Sequence, residues 1–408
     1  MDPPGGLQIG PLQKDEFEEA LQLQGRVFGL PTDYFRILAR RDPLLDCENV
    51  FVAKVDGRIV SHVQVFPKLV RIAGSQVWMG GIGGVATDPE HRGKGLASEL
   101  LTMATCSMRR RGMEVSVLFT GSHDFYRRLG WEVASALNGY SLTTDREPDT
   151  VLGYRTRPLS RDDLEAVASI HDTQDANRSL SVVRSDEIWD LQLRYPRAPA
   201  PSEDIDLFIV AESGGDVVGY ARLGLASESC VILESGCSPG HERSLQACVC
   251  RLLESARSLG HGQLTTVVPE DHPLASVMRK LGAKREHAPI SGMMLKVVDT
   301  GGTLLRMEEG LSARASANRT PRGRIELFVG NESVSIEVAS GFVRVGQERG
   351  LPEHFKTTDR GFSKVISGYS LPSDLVSLGE ASCTAGAPKL MDQLFPPQLS
   401  HMDAPDHF

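Results

Sequence analysis

Val85-Ala86-Thr87-Asp88-Pro89-Glu90-His91-Arg92-Gly93-Lys94-Gly95-Leu96-Ala97 is the stretch on which the fold turns. It reads as a strand, a tight turn and the glycine-rich start of a helix. It contains Arg-x-x-Gly-x-Ala at Arg92, Gly95 and Ala97. The first N–H groups of a helix have no intrahelical partners, so around Gly93 to Ala97 they can point at an anion. Glycine at 93 and 95 lets the backbone come close to phosphate oxygens, and Arg92 and Lys94 add positive charge. The expectation is a phosphate cradle made by Arg92, Gly93, Lys94, Gly95, Leu96 and Ala97. Val85, Ala86 and Thr87 then offer strand backbone groups to an extended ligand.

Outward from this stretch, residues 1–150 read as an α/β unit. Asp15 to Phe28 is helical. Val50 to Lys54 and Arg58 to Phe66 are strands joined by Val55-Asp56-Gly57, where Asp-Gly signals a hairpin. Gly80 to Thr87 holds a further strand. From Gly95 to Arg111 apolar residues recur at Leu96, Leu100, Met103, Ala104 and Met108, a helical stripe. Arg109-Arg110-Arg111-Gly112 closes it, with cations at the negative end of the dipole and glycine beyond. This basic triplet therefore reads as a helix terminus and not as a nucleic-acid patch. Val115 to Phe119 is a buried strand. Asp124 can cap a short helix, Phe125 to Leu129, before Gly130 and a strand at Trp131 to Val133.

The chain has 408 residues, too many for one core. A net charge of −9 argues against a nucleic-acid partner and suits a cationic one. No apolar run approaches the ~18 residues of a membrane span, and the start lacks the basic-then-apolar order of a signal peptide. Seven cysteines, at 47, 106, 230, 237, 248, 250 and 383, form no zinc-type pairing. They read as reduced thiols of a cytoplasmic protein, with at least one of Cys248 and Cys250 packed in an apolar helix.

The first pattern then returns. Phe51-Val52-Ala53 with Ile59-Val60 is echoed by Ile209-Val210-Ala211 with Val217-Val218. Pro89-Glu90-His91 is echoed by Pro239-Gly240-His241, Leu100-Leu101 by Leu252-Leu253, and Arg127-Arg128-Leu129-Gly130 by Arg279-Lys280-Leu281-Gly282. Four collinear matches argue for a duplication over 151–298. The second copy lacks the cradle. Its loop, His241 to Ala247, has no glycine and places Glu242 where phosphates would sit, so it reads as a structural or pocket-forming copy. Residues 299–408 form a third piece. It opens on a polar Gly/Ser/Arg-rich bridge, Gly310 to Arg322. A half-buried hairpin follows, Arg324 to Val329 and Val334 to Val338 about Gly330-Asn331, with Gly341 to Val345 continuing the sheet. Leu371 to Leu378 and Pro388 to Leu394 read as helical.

Strand, phosphate loop and amphipathic helix, followed by Phe125-Tyr126-Arg127-Arg128-Leu129-Gly130-Trp131, resemble the GNAT acetyltransferase superfamily. There the second motif is commonly Phe-Tyr-x-x-x-Gly-Phe/Tyr. The resemblance implies acetyl-CoA as co-substrate, its pantetheine arm paired with Val85, Ala86 and Thr87, and Tyr126 as the acid that protonates the leaving thiolate. Phe125 and Trp131 belong to the core. Base candidates by chemistry alone are Glu90, Glu99, Glu114, His62, His91 and His123.

Two acetyltransferase-like units, the second degenerate, and a small α+β unit ending in Phe resemble the enhanced intracellular survival (Eis) family. The implied fold class is α/β (α+β), with tandem GNAT-type mixed-sheet domains and a sterol-carrier-protein-like C-terminal domain. The implied base is the terminal carboxylate of Phe408. Chain-end carboxyls titrate near ~3.5, so proton transfer would pass through water. The family acetylates primary amines of aminoglycosides and lysine side chains and assembles as hexamers (trimers of dimers). No metal, membrane or nucleic acid is implied. This chain departs from the family at Gly84, where an aromatic can line the amine pocket, and at His407. Asp403, Asp406 and the Phe408 carboxylate are expected to make that pocket acidic. The competing function is a non-catalytic coenzyme A or lipid carrier, although residues 324–394 show no long apolar groove. A dedicated protein lysine acetyltransferase shares all the site chemistry.

Overall fold

The computed structural model describes residues 6–145, 150–195, 207–225, 229–287 and 292–408. Three mixed sheets carry the architecture. The first orders its strands Gln8–Pro11, Val50–Val55, Arg58–Ile72, Ser75–Thr87, Val115–Phe119, Met293–Val297, Glu132–Val133. Its central hairpin is longer than the alternation suggests. Arg58–Ile72 pairs with Ser75–Thr87 through a turn at Ala73-Gly74, both with positive φ. The far half of this hairpin escapes a period-two reading because it is buried on both faces: Val70, Ile72 and Val77 pack into the cluster that also holds the third sheet.

The second sheet contains Asn138–Thr143, between Lys284–His287 and Gln263–Val268. Conversely, Met293–Val297 pairs with Val115–Phe119 and Glu132–Val133 of the first sheet. The two halves thus exchange a strand. A cut at 150 leaves Asn138–Thr143 with the wrong sheet, and a cut at 298 does the same to Met293–Val297. Neither pairing is visible in local pattern, because both partners lie far off in sequence.

The third sheet has five strands in the order Phe342–Gly346, Glu332–Ala339, Gly323–Val329, His354–Thr357, Ala381–Cys383. The hairpin about Gly330-Asn331 forms as expected, Ile325 facing Ile336 and Leu327 facing Val334. The expected bridge at Gly310 to Arg322 does not form. Through Ala317 it is the second half of a helix, Thr300–Ala317, whose N-terminus is capped by Asp299 on Gly302 N at 3.0 Å. Small residues here serve close packing. A Cβ at Gly310 would lie 2.1 Å from Ala73 O, and Gly310 N donates to Ser75 Oγ at 3.0 Å. The basic triplet does end its helix, Leu96–Arg110, and Arg109 pairs with Glu332 across to the third sheet.

The segment 178–184 docks on the first hairpin, with Arg71 N donating to Ser181 O at 2.9 Å and Leu180 N to Arg71 O at 2.7 Å. The chain end is laced to the same segment. Arg178 Nη1 donates to Leu399 O at 2.8 Å and His401 N to Ser179 O at 3.1 Å. Among the described residues no helix is long and apolar enough to cross a membrane.

Candidate active site

The loop expected to be the cradle turns directly into a helix at Leu96. Gly93 and Gly95 have φ of 74° and 82°, in the left-handed region that favours glycine. Gly95 is the N-cap of the Leu96–Arg110 helix and no side chain caps it, so the first N–H groups remain for a ligand. Arg92, Gly93, Lys94 and Gly95 are exposed, and Leu96 anchors the turn in the core. Arg92 Nε donates to Thr87 O at 3.2 Å, tying loop to strand. An open, uncapped, glycine-lined helix start suits the pyrophosphate of coenzyme A.

Beside the cradle the sheet opens. Ser75–Thr87 runs parallel to Val115–Phe119, but their pairing stops at Ile82 and Leu118. A register shift on the other side, between His62 and Gln64, bends the strand at Gly84, whose φ is 59°. Val85, Ala86 and Thr87 therefore lie past the point where the two strands part, with backbone groups on that edge left for an extended ligand. His62 holds the bend. Its Nδ1–H donates to Gly84 O at 2.7 Å, and burial pushes its pKa down to about 4.

The chain's C terminus enters this opening. The Phe408 ring stacks on Phe66 (5.6 Å, 24°) and leans on Phe119 (5.7 Å), which also carries the His407 ring at 3.9 Å. Two glycines make the space. A Cβ at Gly81 would lie 2.5 Å from the Phe408 ring, and one at Gly83 would lie 3.0 Å from the Phe408 carboxyl carbon. Gly81 and Gly83 read in sequence only as part of a strand.

Tyr126 and Phe408 line one cavity of about 940 Å³, together with Gly84, Val85, Thr87, Arg92, Gly93, Gly95, Leu96 and Ala97. Ala86 and Lys94 lie outside that lining. Tyr126 sits on the short helix His123–Arg127, with Ser122 at the N-cap position making no side-chain capping bond and Asp124 inside the helix. Phe125 and Trp131 pack edge-on against its ring, at 4.9 and 6.2 Å. Burial pushes the phenol up to about 12, so it keeps its proton at neutral pH. Of the base candidates, His91 alone lines the cavity. His62 is locked neutral, Glu90 and Glu99 are exposed on the surface, and Glu114 accepts from Trp78 N and Arg306 Nε at the far end of the sheet.

Residues 8–134 match the family model of the GNAT acetyltransferase domain. Residues 8–134 are a GNAT acetyltransferase domain. A search of curated protein sequences returned no match. In fold the whole chain is similar to a GCN5-related N-acetyltransferase from Kribbella flavida, at 17% identity over 99% of both chains, TM-score 0.76. It is also similar to one from Anabaena variabilis, at 16% identity over 99% of this chain and 100% of that one, TM-score 0.79. Eis1 from Mycobacterium abscessus is similar at 18% identity over 99% and 100%, TM-score 0.66. GNAT domains take acetyl-CoA as co-substrate, which is the ligand the uncapped loop and parted strands fit.

Outside the GNAT domain the second sheet repeats the plan without the site. Glu242 Oε1 accepts from Gly240 N at 3.1 Å, so a carboxylate of the chain fills the place of an anion. Met278, the counterpart of Tyr126, is fully buried in that core, as are Cys248 and Cys250. The expected acidic pocket is not there. Asp403 and Asp406 turn away from the cavity into a buried ion network. Arg184 Nε donates to both Asp406 oxygens at 3.0 Å and its Nη2 donates at 2.8 Å, while Gln192 Nε2 adds a bond at 2.8 Å. Arg184 and Arg222 share Glu234 on their other side, at 2.6 and 3.2 Å. Asp403 lies against His401 at 3.3 Å and His171 at 3.7 Å. Two aspartates so close to the terminus looked available for a substrate cation. Apart from His401, their partners are His171, Arg184 and Gln192, which only the tertiary fold brings near.

Proposed function

We propose that the chain is an acetyl-CoA-dependent N-acetyltransferase of primary amines, with Tyr126 as acid and the terminal carboxylate of Phe408 as base. The observation that carries this is the chain end itself. Its carboxyl carbon lies against Gly83, where the two strands part, in the cavity that also contains Tyr126 and the cradle. Bound acetyl-CoA supplies the thioester. The cradle N–H groups hold the phosphates, and the strand edge at Val85 to Thr87 orients the arm. The amine proton leaves to the Phe408 carboxylate through water as the C–N bond forms. Tyr126 donates its proton to the departing sulfur as the C–S bond breaks. The raised phenol pKa fits this, because the group is a donor throughout the neutral range. A coenzyme A or lipid carrier has no use for a retained phenol proton and a terminal carboxylate at the same opening.

Thiol release from acetyl-CoA, measured with a panel of amines, tests the reading. Tyr126→Phe is expected to lower kcat by about 10²-fold or more while coenzyme A still binds. A chain ending at Asp406 is expected to lose turnover and keep the cofactor. Full activity of that shortened chain excludes the terminal carboxylate as base.

A further inference from the structure

Building on the amine acetyltransferase reading, we propose that the acceptor is a monoamine with an apolar or aromatic body, and not a polycation. The cavity of about 940 Å³ holds the cradle and continues beyond it. The part away from the cradle is walled by two helices, Phe17–Phe28 and Thr32–Arg40. These contribute Leu21, Val27, Phe28, Tyr34, Phe35 and Leu38, and the sheet adds Phe66 and Phe119. Among the described lining residues there is no aspartate or glutamate; the one carboxylate is that of Phe408. Charged side chains on the wall are cationic, Arg92 on the cradle and Arg128 beside Tyr126.

Desolvation decides the class. One ammonium entering this space meets the Phe408 carboxylate. Each further ammonium of a polyamine would leave water with no second carboxylate on the described lining to meet it, which costs more than the surrounding apolar surface can return. An apolar or aromatic body instead buries its surface against Phe28, Phe35 and Phe66. Gln64 adds a polar point. It lines the cavity at 6% exposure, and its Nε2 has no partner among the described residues.

Steady-state thiol release by the full chain, with 2-phenylethylamine and hexylamine set against spermidine and kanamycin, tests this directly. The expected kcat/KM is at least about tenfold higher for the monoamines. Their binding by titration calorimetry is expected to change little up to roughly 0.5 M salt. Phe28, at 46% exposure, tolerates truncation. Phe28→Ala is expected to raise KM for 2-phenylethylamine by about fivefold to tenfold, with coenzyme A affinity unmoved. Leu38→Glu places a carboxylate in the wall and is expected to shift the preference toward spermidine. Polyamines turned over as well as the monoamines would overturn the inference and leave the acetyltransferase reading standing. Turnover of no amine, with coenzyme A bound, would overturn both.

Discussion

At the scale of single residues, the site depends as much on missing side chains as on present ones. Gly81 and Gly83 leave the space that Phe408 occupies. Gly81→Val is expected to push the ring out and to reduce turnover to the level of a chain lacking residues 407–408, with coenzyme A binding retained; parallel kinetics and calorimetry check this. Tyr126 carries a pH signature. Its pKa is raised to about 12, so the phenol proposed as acid stays protonated below that value and loses its proton only above it. The pH profile of kcat is therefore expected to show no alkaline limb up to about pH 10. Tyr126 was legible from its motif. The glycines were not, because a strand glycine looks the same whether or not a distant residue needs its space.

At the scale of elements, the tail is held by a buried network. Burial disfavours the Asp406 charge, but the Arg184 guanidinium outweighs it and holds the carboxyl below its ordinary value. Stability from this pair is present above the unfolded aspartate pKa near ~3.9 and is lost as pH falls toward the lower folded value. Removing one partner leaves the other buried and unpaired. Arg184→Met is expected to cost about 3–5 kcal/mol in denaturant unfolding and to depress turnover through the loosened tail. Arg184→Met combined with Asp406→Leu is expected to recover stability without recovering activity fully. The helix Thr32–Arg40 shows the limits of local pattern in another way. It follows Pro31 directly and is only nine residues long, so it disappeared behind the stronger signals on either side.

At the scale of the whole molecule, exchanged strands and a shared tail make the three sheets one folding unit. A fragment of residues 1–150 lacks Met293–Val297, which fills the gap between Val115–Phe119 and Glu132–Val133. Such a fragment is expected to show no cooperative melt by circular dichroism, whereas the full chain melts as one body. Two buried histidines set the acid side of that melt. Burial lowers His62 to about 4 and His272 to about 3. Between those values and the unfolded histidine pKa near ~6.5 the unfolded chain binds more protons, so stability rises with pH through this window. Tm is expected to fall steadily from pH 7 to pH 4.5, and less steeply in His62→Gln.

The sequence by itself determined the GNAT domain, the glycine loop before its helix, the position of the Tyr126 motif and the repeat, because each is written in contiguous residues whose spacing follows from helix and strand geometry. It also marked Phe408 as a candidate, through resemblance. Tertiary structure alone decided where Asp403 and Asp406 point, which sheet receives Asn138–Thr143 and Met293–Val297, and which helix residues line the cavity beside the loop. Each of those outcomes depends on contacts between residues far apart in the chain. A carboxylate can face a substrate or a buried arginine with the same neighbours in sequence, and only packing distinguishes the two.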